Sequence, residues 1–292
     1  MPLIRDKIVE RLNSLTHLPS LPGTVLEVEQ ELDRKDDLSV SAVRIGRLIE
    51  KDMGISAKVL KIANSVFYAG RYGRIADIGQ AVARLGIDEV RNICVTVGGL
   101  QLFTGESDLV SLKDFWRHSM GAALFIRHCG GQMPQPSPLP SGSYIAGLFH
   151  DIGILILDRY FHDAYKIVRQ HGAGKEKPLF AVEKESLGIH HGEIGAMLLD
   201  RWRLPGEICS AVRDHHEPDM CPEPSRRLCQ LINIATFACS AFGIPEPGDD
   251  TFQAGSAGAW HDLGLDMGDF QKIAAEAEEG ITEGGMFLAM CL

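Results

Sequence analysis

No CxxC pair occurs in the chain, and its seven cysteines (Cys94, Cys129, Cys209, Cys221, Cys229, Cys239 and Cys291) make an odd count. That argues against a disulfide framework; the thiols read as small packed hydrophobes of a chain kept in a reducing cytoplasm. Basic residues are in deficit, with 29 Lys+Arg against 39 Asp+Glu and a net charge of -10. A surface of that sign repels phosphate backbones, which excludes nucleic-acid binding through a broad basic patch but not a small anionic ligand in a local pocket. Long hydrophobic runs are missing as well. No segment approaches the ~18 consecutive apolar residues of a bilayer span. The opening MPLIRDKIVERLNSL carries charges every few residues, unlike the apolar core of a secretion signal. The expectation is a soluble, cytoplasmic chain with no membrane segment. Strict alternation of apolar and polar residues over strand length is also absent, which leaves no basis for a sheet.

What is present is helical periodicity on a chain of 292 residues, 45% of them hydrophobic, enough to bury a sizeable core. Ile4, Ile8, Val9, Leu12 and Leu15 fall mostly three or four apart, on one face of an amphipathic helix that the prolines of LPSLP stop. A second helix is predicted from Gly23 to Leu32, with Val25, Val28 and Leu32 inward. A third carries Val43, Ile45, Leu48 and Ile49, capped by Ser39 or Ser41. SAKVLKIA forms a fourth. A fifth closes at Gly86, and Asp88 opens the next, which runs to about Phe103. Within it, Ile93 to Val97 is rich in β-branched residues, but the surrounding register keeps it helical. Residues 132–143 and 243–258, rich in proline and glycine, read as loops. Helical character returns from Phe270 to Ala275 and from Ile281 to Met290. The expected organisation is all-α: an N-terminal helical subdomain (1–104), a histidine-bearing helical subdomain (105–242) and a C-terminal loop and helical tail (243–292).

Of eleven histidines, five stand in a suggestive order with carboxylates nearby. His118 lies in DFWRHSMGAALF, with Asp114 one helical turn before it. His150 and Asp151 follow in the apolar GLFHDIGILIL. His191 opens GIHHGEIGAMLLDRW, and His215-His216 ends a partly apolar stretch. Burying so many ionisable groups costs free energy unless each is hydrogen-bonded or metal-bound. Imidazole with carboxylate suits iron or manganese, or zinc, better than magnesium or calcium. Asp151, with two oxygens, is the natural bridge between two ions. Adjacent side chains on a helix diverge by about 100°, so the two members of a dyad are not expected to approach one ion alike. Asp114 is expected to orient His118 or cap its helix, and Glu185 or Glu193 to orient the histidines. His17, His128, His162, His171 and His261 read as surface or packing residues, and His190 as a neighbour outside the ligand set.

The segments LPSLPGTVLEVEQEL, IEKDMGISAKVLKIANSVFYAG, DIGQAVARLGIDEVRN and FWRHS, in that order, resemble the HDOD domain, a relative of the HD phosphohydrolases found in bacterial signalling and regulatory proteins. The likeness covers roughly residues 15–242 and implies an HD-type helix bundle, signal transduction, a protein partner and a nucleotide-like ligand. The more distantly similar HD and HD-GYP enzymes imply metal-ligand roles for His118, His150, Asp151, His191, His215 and His216. In those enzymes an aspartate in the helix after the HH pair completes the shell. Here Thr236 stands at that place, a neutral and poor ligand. The Gly-Tyr-Pro motif is missing too, since His215-His216-Glu217 runs on into Pro218 and Asp219. The resemblance therefore implies a regulatory module with a metal site of one or two ions and little or no catalysis; an active metal-dependent phosphohydrolase is the alternative. Asn64, Ser65, Phe67 and Tyr68 are expected to turn and anchor the N-terminal helices. Lys61, Arg84 and Arg91 are spaced like solvated helix positions.

Overall fold

A computed structural model of the chain describes residues 2–15, 18–32, 42–65, 74–132, 142–172, 177–249, 251, 255–266 and 268–273. Among the described residues there is no strand. The chain divides into two compact units, one comprising residues 19–104 and the other residues 2–18 together with 105–273.

The first unit is built from α2 (Gly23–Leu32), α3 (Ala42–Glu50), α4 (Met53–Ala63), α5 (Ile78–Leu85) and α6 (Ile87–Leu102). Asp52 caps α4 by accepting from the N–H groups of Gly54 and Ile55, and Asp77 caps α5 by accepting from Gln80 N–H. The chain leaves α5 at Gly86, whose φ of 85° lies in the region that favours glycine. The β-branched run Ile93 to Val97 is buried in the middle of α6, so tertiary packing overrides strand propensity there. Val25 and Val28, Ile45 and Ile49, Ile55, Val59 and Ile62, and Val82 supply the core. Asn64 stitches the end of α4 to Ile75: its Nδ2 donates to the Leu60 and Ile75 carbonyls at 2.8 Å each, and its Oδ1 accepts from Ile75 N–H at 2.7 Å. Ser39, Ser41, Phe67, Tyr68 and His17, to which roles were assigned above, lie outside the described residues, as does the expected helix from Ile281 to Met290.

Arg91 departs from its expected solvated position. It is buried on α6 and forms a two-pronged ion pair with Glu29 of α2, Nε to Oε1 at 2.8 Å and Nη2 to Oε2. Helix spacing alone did not reveal it, because the pairing partner lies sixty-two positions away.

In the second unit, α1 (Pro2–Ser14) buries Ile8 and Leu12. It is tied down by Arg5, which pairs with Glu193 at 3.1 Å, and by Arg201, which donates to the Leu12 carbonyl at 2.9 Å. It therefore belongs with this unit and not with residues 19–104, with which the sequence division had grouped it. The unit continues with α7 (Leu112–Gln132), α8 (Ser143–Phe149), α9 (Ile152–Tyr160), α10 (His162–Gly172), α11 (Leu179–Leu187), α12 (His191–Arg201), α13 (Gly206–Asp214), α14 (Arg226–Ala241) and α15 (Ala257–Leu263). α7 packs on α8 and α14, and α12 packs on α9 and α13. The described residues after 242 belong to the same unit: α15 lies on α14, and Phe237, Trp260 and Phe270 form an aromatic cluster with centroids 5.3 to 5.8 Å apart.

Breaking the buried pair tests the first unit. Arg91→Met leaves Glu29 charged and unmatched in the core, and a loss of about 3–5 kcal/mol is expected in denaturant unfolding. Adding Glu29→Leu should recover most of that loss.

Candidate metal centre

The second unit places the histidines of its cluster at helix ends, except His118, which projects from the middle of α7. The apolar stretch expected as one helix through His150 and Asp151 is two helices instead, α8 ending at Phe149 and α9 beginning at Ile152, with the dyad at the break. This corrects the expectation that the two side chains diverge. With Asp151 at φ -100° and ψ 8°, His150 Nε2 and Asp151 Oδ2 meet at 3.0 Å and address the same point. His191 is the first residue of α12, and His215-His216 follows the end of α13. Gly153 lets α9 press against the start of α12: a Cβ on it would fall 2.0 Å from the His191 carbonyl oxygen. Only glycine permits that approach.

All six expected residues are brought together. His118, His150 and Asp151 form one group of potential ligand atoms and Asp151, His191, His215 and His216 another, the atoms of each within 4.8 Å of one another. Asp151 is common to both. Its Oδ2 faces His118 Nε2 at 3.5 Å and His150 Nε2 at 3.0 Å; its Oδ1 faces His191 Nε2 and His215 Nε2 at 3.4 Å each. Four rings are fixed from behind. His118 Nδ1 donates to the Ile244 carbonyl at 2.9 Å, His150 Nδ1 to Gly147 at 2.8 Å and His215 Nδ1 to Val212 at 2.7 Å. His191 Nδ1 is 2.7 Å from the Glu183 carboxylate. Because a carbonyl only accepts, Nδ1 carries the proton in His118, His150 and His215, and Nε2 presents a lone pair inward.

The centre thus crowds ring nitrogens and carboxylate oxygens against one another. His118 Nε2 lies 3.2 Å from His150 Nε2, and His216 Nε2 lies 2.7 Å from His191 Nε2. Both Asp151 oxygens and His215 Nε2 are buried without a hydrogen-bond partner. Such orphans are costly unless a cation occupies the space between them. The donor set fits a divalent transition metal, with four of the five imidazoles already oriented by a second partner.

The electrostatics agree with that reading. Burial pushes His118 down to about 4 and His215 below its ordinary range, so both stand neutral. His216 keeps an edge to solvent, yet burial followed by His215 and His191 holds it well below the usual imidazole value. Burial alone would raise Asp151, but the surrounding imidazoles, His150 foremost, outweigh it and hold the carboxyl well below its usual range. In His191, burial is overcome by Glu183 and Asp151, which raise its pKa well above the ordinary value.

Several expectations need correction. The residue that orients His191 is Glu183 on α11, fully buried, which also accepts from His191 N–H at 2.7 Å and from the Tyr165 hydroxyl at 3.1 Å. Glu185 instead pairs with Lys177 at the exposed surface, and Glu193 pairs with Arg5 and accepts from His190 N–H. Glu183 shares the apolar face of α11 with Leu179, Val182 and Leu187, a signal the sequence did carry. Asp114 is exposed in the first turn of α7; His118 is oriented by Ile244 instead. His190, outside the ligand groups as expected, caps α12 by accepting from Gly192 N–H at 3.2 Å, and burial lowers it to about 2. Glu246 escaped sequence reasoning altogether. It lies in a loop, is buried, and places Oε1 3.6 Å from His191 Nε2. Thr236 is buried and lines a small cleft with His215, His216 and Glu246, and its hydroxyl donates to the Ile232 carbonyl at 3.0 Å.

A helix bundle carrying a buried histidine and aspartate cluster is the architecture of the HD class. The HDOD domain model matches residues 18–218, and the chain belongs to the HDOD domain family. A protein of Treponema pallidum (strain Nichols), described only as uncharacterized, is 26% identical over 230 residues, which cover 79% of this chain and 43% of that one. The chain therefore spans less than half the length of that curated relative. Three solved structures share the fold. An HDOD domain protein of unknown function from Geobacter sulfurreducens has a TM-score of 0.80 at 24% identity, covering 97% of this chain and 96% of that one. A protein from Marinobacter aquaeolei VT8, provisionally titled a signal transduction protein, has 0.77 at 22%, covering 98% of this chain and 66% of its own. A protein from Shewanella amazonensis SB2B, provisionally titled a phosphohydrolase, has 0.74 at 21%, covering 97% of each. At these identities the likeness establishes the fold alone.

Glu183→Gln keeps the shape of the side chain and removes the charge that orients His191. Metal affinity is expected to fall ~10–100-fold, the usual cost of losing a ligand's supporting partner, measured by calorimetric titration with Mn(II). An unchanged affinity would show that His191 needs no such support.

Proposed function

We propose that the chain is a regulatory HDOD protein whose histidine and aspartate centre holds divalent transition metal, iron or manganese in preference and zinc next, as two ions bridged by Asp151. The occupied bundle presents its signal to a protein partner, with a nucleotide-like ligand as the accompanying small molecule. Hydrolysis is weak or absent. The observation that carries this reading is the Asp151 carboxylate, buried with both oxygens unpartnered between two groups of imidazoles. Weak hydrolysis is supported by Thr236, a neutral residue at the position where the related enzymes place a carboxylate, its hydroxyl committed to Ile232.

The second reading is an active phosphohydrolase, supported by the shared-carboxylate geometry and by the likeness in fold to the Shewanella protein described as a phosphohydrolase. Metal would then supply Lewis-acid polarisation of a phosphoryl oxygen and activation of water. His118, His150, Asp151, His191, His215 and His216 would hold it, with Glu183 fixing the ring of His191.

Elemental analysis of protein purified without chelator is expected to find near-stoichiometric iron, manganese or zinc, and His150→Ala with Asp151→Ala to abolish it. A finding of no metal overturns the reading. On a panel of phosphomonoesters and cyclic dinucleotides the metal-loaded protein is expected to show little turnover. Turnover that the same double substitution removes would establish the second reading instead.

A further inference from the structure

The loop after α14 was read in sequence as a connection, yet it is clamped at three points around the centre. The Ile244 carbonyl accepts from His118 Nδ1, the Pro247 carbonyl accepts from Arg169 Nη1 at 3.2 Å, and Asp249 Oδ2 accepts from Leu179 N–H at 2.8 Å. The Asp249 N–H turns back to the Glu246 carbonyl at 3.0 Å. Gly248, at φ 90°, leaves room for the Arg169 guanidinium, because a Cβ there would fall 1.0 Å from Nη1. These contacts present one side chain inward. Glu246 is 4% exposed, has both carboxylate oxygens buried without a partner, and stands 3.6 Å from His191 Nε2.

Among the described residues, Asp151 and Glu246 alone have both carboxylate oxygens buried and unsatisfied. Asp249 accepts from Leu179 and Thr251, Glu183 from Tyr165 and His191, and Asp158 from Ser107. Burial and the nearby Asp151 both disfavour charge on Glu246, and among the described residues only His191 lies within ion-pair distance to oppose them, a penalty that a cation in the centre would remove. Glu246 also shares the small cleft with Thr236, His215 and His216.

We propose that Glu246 is a further metal ligand: it joins the Asp151, His191, His215 and His216 group and supplies from the loop the anionic oxygen that Thr236 does not. The inference rests on the metal-binding reading above and goes beyond it in naming the residue that compensates for Thr236. An oxygen donor carrying charge completes a coordination shell that a hydroxyl donating to a backbone carbonyl leaves open. It also makes the C-terminal loop a part of the centre.

The test is Mn(II) titration of the full chain by calorimetry and electron paramagnetic resonance, comparing wild type, Glu246→Gln and Glu246→Gln with Thr236→Asp. Glu246→Gln, nearly isosteric, should leave the melting temperature in chelator unchanged or raised and weaken Mn(II) binding on the order of tenfold or more. The resonance signal of bound Mn(II) should change with it. The double variant should recover most of the affinity. Wild-type affinity in Glu246→Gln would overturn the ligand assignment while leaving the metal reading intact. No binding by wild type would remove the metal reading itself. A double variant no tighter than Glu246→Gln would overturn the compensation for Thr236. If Glu246→Gln fails to fold, Glu246→Asp, which draws the carboxylate back by one methylene, is read by the same criteria.

Discussion

The second unit depends on a single electrostatic constraint: imidazoles from four places in the chain face one buried carboxylate whose two oxygens have no hydrogen-bond partner. Repulsion among those groups must be offset by positive charge, and everything around them serves to hold them in place regardless. The break between α8 and α9, the contact at Gly153, and the carbonyls of Gly147, Val212 and Ile244 behind the rings are all parts of that restraint. A cluster held this firmly is pre-organised, so little reorganisation is asked of the protein when a cation enters.

Helix-forming segments were largely legible, because apolar periodicity reports directly on which face is buried. The second helix spans Gly23–Leu32 as its pattern predicts, and the β-branched stretch of α6 follows the longer register around it. The relation of neighbouring side chains in the dyad was not legible. Periodicity treats GLFHDIGILIL as one helix, and the break at His150 and Asp151 is set by tertiary packing against α12. The same limit hid the Arg91 and Glu29 pair, whose members meet only after folding. Local spacing also pointed to Glu185 and Glu193 as orienting residues when Glu183, on the buried face of α11, does that work. Glu246 was least visible, since a carboxylate in a proline-rich and glycine-rich loop normally faces water.

Membership of the HDOD family sets the fold but leaves the chemistry to particular residues, and those residues pull in two directions. The shared carboxylate and the backed imidazoles could hold a metal, while Thr236, its hydroxyl donating to Ile232, carries no charge. Under the proposed regulatory reading, a centre that binds a cation without turning over substrate would be suited to sensing. Its occupancy would then be the output, with nothing consumed.

The inward-facing groups come from five separate stretches of chain: the middle of α7, the break before α9, the start of α12, the end of α13 and the loop beyond α14. An unfolded polypeptide cannot offer them together, so an ion held there would act as a staple across more than a hundred residues. Its binding energy would add to the thermal endurance of the bundle in proportion to the logarithm of free ion concentration. Metal supply would then govern how long each copy of the molecule survives, independently of any signal it sends.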